Sequence, residues 1–450
     1  MSISDLKIIN TDKMKKDYLL PVRIVWHSEG MDNTDILLTN TEEQPRMGQG
    51  VVARASTQEG KKAAVLLDFG SEISGGARIV TRMGTDKQGA LVRLRFGESV
   101  QEAMTPLGEK NGVNHHSIRD MVVPLPLLSC TEWSQTGFRF LYLEIETPDV
   151  YIEFGAIHGI FTYRDIPYYG TFECNDVRVN KIYQTSAYTV HLNMQNMLWD
   201  GVKRDRLVWM NEASGAGIYA LLALTLDGGA YLCKAVGDTE TSDLCRIKRK
   251  LLDDNRNAHH NMKQVIAMMN LAGHISDKEA ATLLTKDGGK GMSTFQSYYI
   301  LKAASQTAGI TSALDMMREY YGAMLDVGAT TFWEDFDLDW MREGATIEEV
   351  LPEGAYDIHG DNGRFCYTGF RHSLCHGWSA GPTAFLAEEV LGIKILSPGC
   401  KKVSICPQLG DLEWVKGTYP TPYGNIYVEA SRCGEQTETK ICVPEGVEIQ

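Results

Sequence analysis

A chain of 450 residues exceeds what one hydrophobic core supports and points to about three domains. Hydrophobic residues at 43% and charged residues at 23% are ordinary for a globular protein, and a formal net charge of −14 argues against nucleic acid or an anionic membrane surface as partner. No apolar run approaches the length of a membrane-spanning helix. The opening Met1-Ser2-Ile3-Ser4-Asp5-Leu6-Lys7 lacks the basic-then-apolar pattern of a secretory signal, which places the chain in the cytoplasm.

Residues 1 to 165 read as all-β. Ala90, Val92, Leu94 and Phe96 alternate with Leu91, Arg93 and Arg95, the period of a strand with one buried face. Lys61–Gly70 and Phe138–Thr147 behave alike, the latter with Leu141, Leu143 and Ile145 on one side. Clusters such as Ser71–Gly76 separate the runs, so an N-terminal β-sandwich is expected. No exposed aromatic row is visible, which favours a structural domain over a carbohydrate-binding one.

Tyr163-Arg164-Asp165-Ile166-Pro167 marks a change of period. Over residues 166–396, Met262, Val265, Ile266 and Met269 fall at helical spacing, as do Leu314, Met317, Tyr321 and Met324. Ser276-Asp277-Lys278-Glu279 is a capping box for a helix running to about Lys286, with Gly288 beyond; Ser312 and Asp315 repeat the signal more weakly. The Met-rich stripes are core filler. From 397 to 450 strands return: Leu412–Lys416 and Ile426–Ala430 flank the turn residues Pro420-Thr421-Pro422-Tyr423-Gly424, and Lys440–Val443 follows.

Ten cysteines (130, 174, 233, 245, 366, 375, 400, 406, 433 and 442) occur without a Cys-x-x-Cys pair. Such scatter reads as small buried hydrophobes in a reducing compartment, not a disulfide framework or zinc site. Cys375 beside His376 is set aside as a nucleophile pair, because sequence neighbours rarely point at each other.

The most unusual stretch is Trp199-Asp200-Gly201-Val202-Lys203-Arg204-Asp205-Arg206-Leu207-Val208-Trp209-Met210-Asn211-Glu212. It holds three carboxylates, three bases and two indoles with no single apolar period, so it reads as a loop leading into a helix. Carboxylates alternating with arginines split their pKa values when buried, and indoles beside acceptors suit a sugar. A solvated salt-bridge loop is the plainer alternative. A second stretch, Thr330-Thr331-Phe332-Trp333-Glu334-Asp335-Phe336-Asp337-Leu338-Asp339-Trp340, sets four carboxylates among rings, where desolvation would push the Glu334 carboxyl upward. A third, Ser373-Leu374-Cys375-His376-Gly377-Trp378-Ser379-Ala380-Gly381-Pro382, adds a histidine and an indole. Three such clusters on loops around helices point to a sugar-processing cleft.

Together with the β–α–β plan, Asp200 to Trp209, Thr331-Phe332-Trp333-Glu334 and Ser373-Leu374-Cys375-His376-Gly377 resemble the bacterial α-L-rhamnosidase family, glycoside hydrolase family 78. Leu396-Ser397-Pro398-Gly399-Cys400-Lys401-Lys402-Val403 and Gly410-Asp411-Leu412-Glu413-Trp414 are similar to that family as well. The resemblance implies a six-hairpin (α/α)6 toroid between β-sandwiches, and inverting hydrolysis of terminal α-L-rhamnosides without a required cofactor; no Asp/Asn-rich loop of the EF-hand type is present in the sequence, so no metal is expected. It implies Asp205 as general acid, at a position where the family normally has Glu, and Glu334 as the base that activates water. An inverting pair stands roughly 6.5–9.5 Å apart so that a water fits. Asp200 and Arg204 would hold sugar hydroxyls and tune Asp205. Trp209, Trp333, Trp340 and His376 would line the sugar site, and Glu212 stands where a further sugar-binding Asp is expected. The implied partner is a rhamnose-containing oligosaccharide or glycoside, with a homodimer left open and neither nucleic acid nor membrane involved.

The sequence also departs from the family. After Trp209 the family continues through a long helical series, whereas here Met210 to Gly217 runs straight into Ile218-Tyr219-Ala220-Leu221-Leu222. A twelve-helix ring needs roughly 300 residues, and the interval from Tyr163 to Ser397 is shorter, with about eight helices legible. Helices lost between Trp209 and Ile218 would leave an incomplete toroid with apolar helix faces uncovered. Three readings stay open: an active or weakened rhamnosidase, a catalytically inactive sugar-binding or structural relative, and another inverting glycosidase or lyase on the same scaffold.

Overall fold

Alternation in the first 165 residues becomes one nine-stranded antiparallel sheet. Its strands are β1 (Met14–Leu19), β2 (Arg23–His27), β3 (Met31–Asp32), β4 (Ala53–Ser56), β5 (Ala64–Gly84), β6 (Ala90–Gly97), β7 (Asp120–Leu125), β8 (Ser129–Ile145) and β9 (Tyr151–Arg164). They run in the order β3-β4-β9-β5-β8-β6-β7, with β1 on β9 and β2 on β5. The computed structural model describes residues 14–47, 50–206, 215–252, 261–364, 367–434 and 436–450. They form two compact units: the described parts of Met1–Ile166, Thr189–Val208 and Gly344–Gly377, and those of Pro167–Tyr188, Trp209–Glu343 and Trp378–Gln450.

In the first unit the central strands bury both faces. Val65, Leu67, Leu141, Leu143 and Ile145 join the main core, while Ala64, Leu66, Phe140 and Tyr142 build a second core with Val100 and Ala103. That is why their alternation in sequence is weak: a strand covered on both sides has no polar face to display. Ser71–Gly76, expected to separate two strands, lies inside β5. The ladder to β8 is irregular between Asp68 and Ile73 and again between Gly75 and Ala77, so these residues are bulges. A Cβ on Gly76 would lie 2.2 Å from the Trp133 carbonyl oxygen, so the small residues serve close strand approach, not a turn. A single turn, α1 (Val100–Met104), follows β6. Its N-cap Ser99 accepts from the Glu102 amide at 3.2 Å, a capping box that the sequence reading passed over.

The second unit begins with β10 (Thr171–Cys174), then α2 (Val177–Asn193), whose last residues return to the first unit. There follow α3 (Gly215–Ala235), α4 (Thr239–Lys250), α5 (Lys263–Leu271), α6 (Asp277–Thr285), α7 (Ser297–Ala308), α8 (Ile310–Asp326) and the short α9 (Gly381–Phe385). Among the described residues these give seven helices of nine residues or more between 166 and 396, against the twelve of a full ring. The α6 box forms as expected, with Ser276 accepting from the Glu279 amide. The α8 stripe of Leu314, Met317, Tyr321 and Met324 is buried. Its start differs from expectation: α8 opens at Ile310 after Gly309, and neither Ser312 nor Asp315 caps it.

Strands β11 (Ile393–Ile395), β12 (Lys402–Ile405), β13 (Trp414–Thr421), β14 (Gly424–Cys433), β15 (Gln436–Cys442) and β16 (Glu448–Ile449) close the chain. Two sheets result, β10-β13-β14-β15 and β11-β12-β16. Two further readings need correction. Of the nine described cysteines only Cys174 and Cys375 are buried; Cys130, Cys433 and Cys442 are exposed on strands with an open face, and Cys406 is exposed just past the end of β12. And α3 is long and apolar enough to cross a membrane by length and composition alone. Alanine, glycine and tyrosine between the leucines dilute the run and hide it from inspection. Leu143, wholly buried in the main core, offers a test of the first unit: Leu143→Ala is expected to cost about 2–5 kcal/mol in urea unfolding.

Candidate active site

The loop after α2 carries the first charged stretch, and all contacts described for it lie within the first unit. Asn193 ends the helix; its carbonyl accepts from the Trp199 amide at 2.9 Å and its side chain touches the Cys375 sulfur at 3.6 Å. Asp200 bonds its own next amide, Gly201, at 2.9 Å and accepts from the Gly377 amide through its carbonyl at 2.7 Å. Gly201 bridges to His376. The His376 ring, buried, stands 3.9 Å from the Asp200 carboxylate. A Cβ at Gly201 would meet that ring at 2.8 Å, so glycine is required there. The structure thus joins Asp200 and His376, both candidates from the sequence.

Lys203 anchors the loop. Its ammonium is buried between Glu98, at 3.2 Å, and Glu102, at 2.8 Å, and donates to the His372 carbonyl at 2.9 Å. Glu98 also accepts from the Leu374 amide at 2.6 Å and the Ser373 hydroxyl at 3.2 Å. Ser117 holds the Lys203 carbonyl. His359 spans Ser99, at 2.8 Å, and the His372 carbonyl, at 3.0 Å. Burial, reinforced by the Lys203 charge, keeps that imidazole well below its usual range and therefore neutral. Glu98 is pushed up to about 7, chiefly by burial and also by Glu102, against the pull of Lys203.

Beyond this anchor the backbone is strained. Asp205 and Arg206 take left-handed φ values of 62° and 58°, costs of roughly 1–3 kcal/mol each. Arg206 lies over the Trp199 ring at 4.7 Å and donates to the Gln135 carbonyl at 2.6 Å. Arg204 pairs with one oxygen of Asp205, and His116 Nδ1 lies 3.0 Å from the other. Arg204 and Arg371 stack on the Tyr367 ring at 4.0 and 4.2 Å, and Arg371 reaches His115 at 3.0 Å. His115, His116, Tyr367 and Arg371 were not singled out from sequence; each sits in a loop far from residue 205 and matches no local motif. His115, His116 and Asp205 bring ligand-type atoms within 4.8 Å of one another, as do Glu98, Glu102 and His359. Arginines hold the first set and the Lys203 ammonium fills the second, so a metal ion would have to displace a cation already paired there.

The second stretch belongs to the other unit. Alternate carbonyls of Phe332, Glu334 and Phe336 accept from side chains: Ser379 at 2.9 Å, Thr294 at 2.7 Å with Trp378 at 2.9 Å, and Tyr320 at 2.6 Å. This fixes the extended segment that bears the buried Glu334. Trp333 is fully buried, packed edge-on to Phe336 at 5.5 Å, and Phe336 in turn meets the buried Trp340 at 5.8 Å. Both indoles support the loop from beneath and show no open face to a ligand. Of the four carboxylates, Asp337 caps the turn at 338–340. Trp209 and Glu212 lie outside the described residues.

Two changes test the anchor. Lys203→Met leaves two buried carboxylates without their cation and is expected to cost about 3–5 kcal/mol in urea unfolding. Because the folded protein holds the Glu98 proton more tightly than the unfolded chain, whose value is near 4.5, stability should fall as pH rises from about 4.5 to about 7. Glu98→Gln is expected to flatten that slope in unfolding series across the window.

Residues 392–450 match the family model described as the bacterial alpha-L-rhamnosidase C-terminal domain. Solved structures share the fold over most of the chain. The GH78 family rhamnosidase of Bacillus sp. GL1 aligns with a TM-score of 0.69 and 18% identity over 92% of this chain and 55% of its own. The Streptomyces avermitilis alpha-L-rhamnosidase complexed with L-rhamnose gives 0.64 and 14%, over 86% and 48%. The Klebsiella oxytoca rhamnosidase with rhamnose bound gives 0.60 and 15%, over 83% and 96%. The chain therefore spans about half the length of the Bacillus and Streptomyces enzymes. No curated protein matches it. The family suspected from the charged loops is the one these matches name, and the multidomain β-plus-α architecture is theirs.

Proposed function

We propose that the protein is a glycoside hydrolase of the α-L-rhamnosidase type, releasing terminal α-L-rhamnose with inversion. The observation that carries this reading is the Lys203-anchored loop. It holds Asp205 in a strained, buried position between Arg204 and His116, within a chain whose fold is that of rhamnosidases.

In this reading Asp205 is the general acid that delivers a proton to the glycosidic oxygen as the bond to the anomeric carbon breaks. Glu334, ionised, takes a proton from the water that attacks the opposite face, so the sugar leaves with inverted configuration. His116, on the solvent side of Asp205 with its ring nitrogen 3.0 Å away, can return a proton to that carboxylate after each turnover. Asp200 and Arg204 bind sugar hydroxyls, with His376 placed against Asp200. No cofactor enters the scheme. A sugar-binding relative without turnover is the second reading, favoured by the seven described helices where a full ring has twelve.

Hydrolysis of an aryl α-L-rhamnoside by the purified chain decides between them. On the first reading the chain turns the substrate over, Asp205→Asn and Glu334→Gln each lower kcat by about 100-fold or more, and NMR shows the β-anomer first. Absence of turnover from folded protein that still binds rhamnose by calorimetry establishes the second.

A further inference from the structure

Helix α3 is built inside out. Its inward residues are small: Ala216, Ala220 and Ala223 pack on Val265, Met268, Met269 and Ala272 of and beside α5. Leu221 and Leu224 lean partly on the same core, but other large apolar side chains of the helix turn outward. Ile218, Tyr219, Leu222 and Leu232 stand 43–63% exposed among the described residues. The same holds for α4, which is tied to α3 by the Ser242 hydroxyl on the Ala230 carbonyl, at 2.7 Å, and by Arg249 on Asp227, at 3.0 Å. Of its residues only Ser242 is buried, while Leu244, Ile247 and Leu251, at helical spacing, are 52%, 60% and 65% exposed. A helix in water buries leucine and exposes alanine; the reverse marks a face meant for another surface.

The charges on α4 say which surface. Asp238, Glu240 and Asp243 occupy its start, and Arg246, Lys248 and Lys250 its end, on either side of Cys245. Such a helix is complementary to itself when turned through 180°. A twofold axis passing between Cys245 and Arg246 sets Asp243 of one copy opposite Lys248 of the other and Leu244 opposite Ile247, so the acidic half lies over the basic half and both apolar stripes are sealed. With α3 included, seven large side chains at roughly half exposure offer an area on the order of the ~800 Å² that each partner gives to a standard interface. Anionic lipid would meet only the basic half favourably, so the pattern favours protein over membrane.

We infer that the outer face of the α3–α4 hairpin is the twofold interface of a homodimer. The inference does not depend on the proposed reaction. Sedimentation equilibrium of the full chain between 1 and 100 µM tests it, and a mass twice the 50.1 kDa of the chain is expected. Ile247→Asp and, separately, Leu222→Asp should each weaken the dimer at least 10-fold; both positions are exposed, and unchanged thermal unfolding of the variant monomers confirms folding. Asp243→Lys should weaken it too, and adding Lys248→Asp should restore it, a rescue that mere loss of apolar area cannot produce. A monomer throughout the range, a dimer indifferent to these changes, or flotation of the monomer with phosphatidylserine–phosphatidylcholine vesicles would each overturn the assignment.

Discussion

The charged loop after α2 rests on one buried ammonium. Lys203 reaches Glu98, Glu102 and the carbonyl of His372 at once, so a single side chain ties the loop after α2 to strand β6, the α1 turn and the 372–374 segment. Burying one cation between two acids is costly in isolation, and the arrangement is stable only because nearly every partner atom is used. Ser373 and Leu374 satisfy Glu98, the Glu98 amide satisfies Glu102, and neutral His359 fills the space beside them. With that knot closed, two consecutive left-handed residues, Asp205 and Arg206, can be held in place. Loosening the knot would release that strain into a more extended backbone and carry the Asp205 carboxylate away from its partners.

Much of this was legible in the residues. The period-2 run of β6, the Ser276 box of α6, the buried stripe of α8 and the hairpin at Thr421–Gly424 follow from local pattern alone. So does the density of charge at 199–212, which marked the loop before any partner was known. What escaped lies in long-range pairing. His116 meets Asp205, and Glu98 meets Lys203, across separations near or above ninety residues; nothing in a linear window couples them. Ser99-Val100-Gln101-Glu102 is a capping box in plain view, yet it opens a helix of only five residues, too short for a periodic stripe to point to it.

The aromatic residues show a different limit. Indoles among carboxylates suggest a stacking platform, but Trp333 and Trp340 are consumed in an edge-to-face chain through Phe336. Burial decides the role of an indole, and sequence spacing reports burial poorly when both sides of a loop are covered. Trp199, in contrast, has its ring under the Arg206 guanidinium. The two tryptophan classes look alike in a motif and differ in what is left over for a ligand.

Strand β10 pairs with β13 in register from Thr171 opposite Thr418 to Cys174 opposite Val415. The two threonines are 247 residues apart. On a ribosome adding about 5–20 residues per second, β10 emerges and then waits roughly 10–50 s for its partner strand to be made. Until then its edge is open, and every helix from α2 to α9 is synthesised before the sheet that completes its unit can form. The second unit therefore matures only once β13 has been made. A chain stopped short of β13 leaves the ribosome with an unpaired strand edge, the kind of surface on which nascent proteins aggregate.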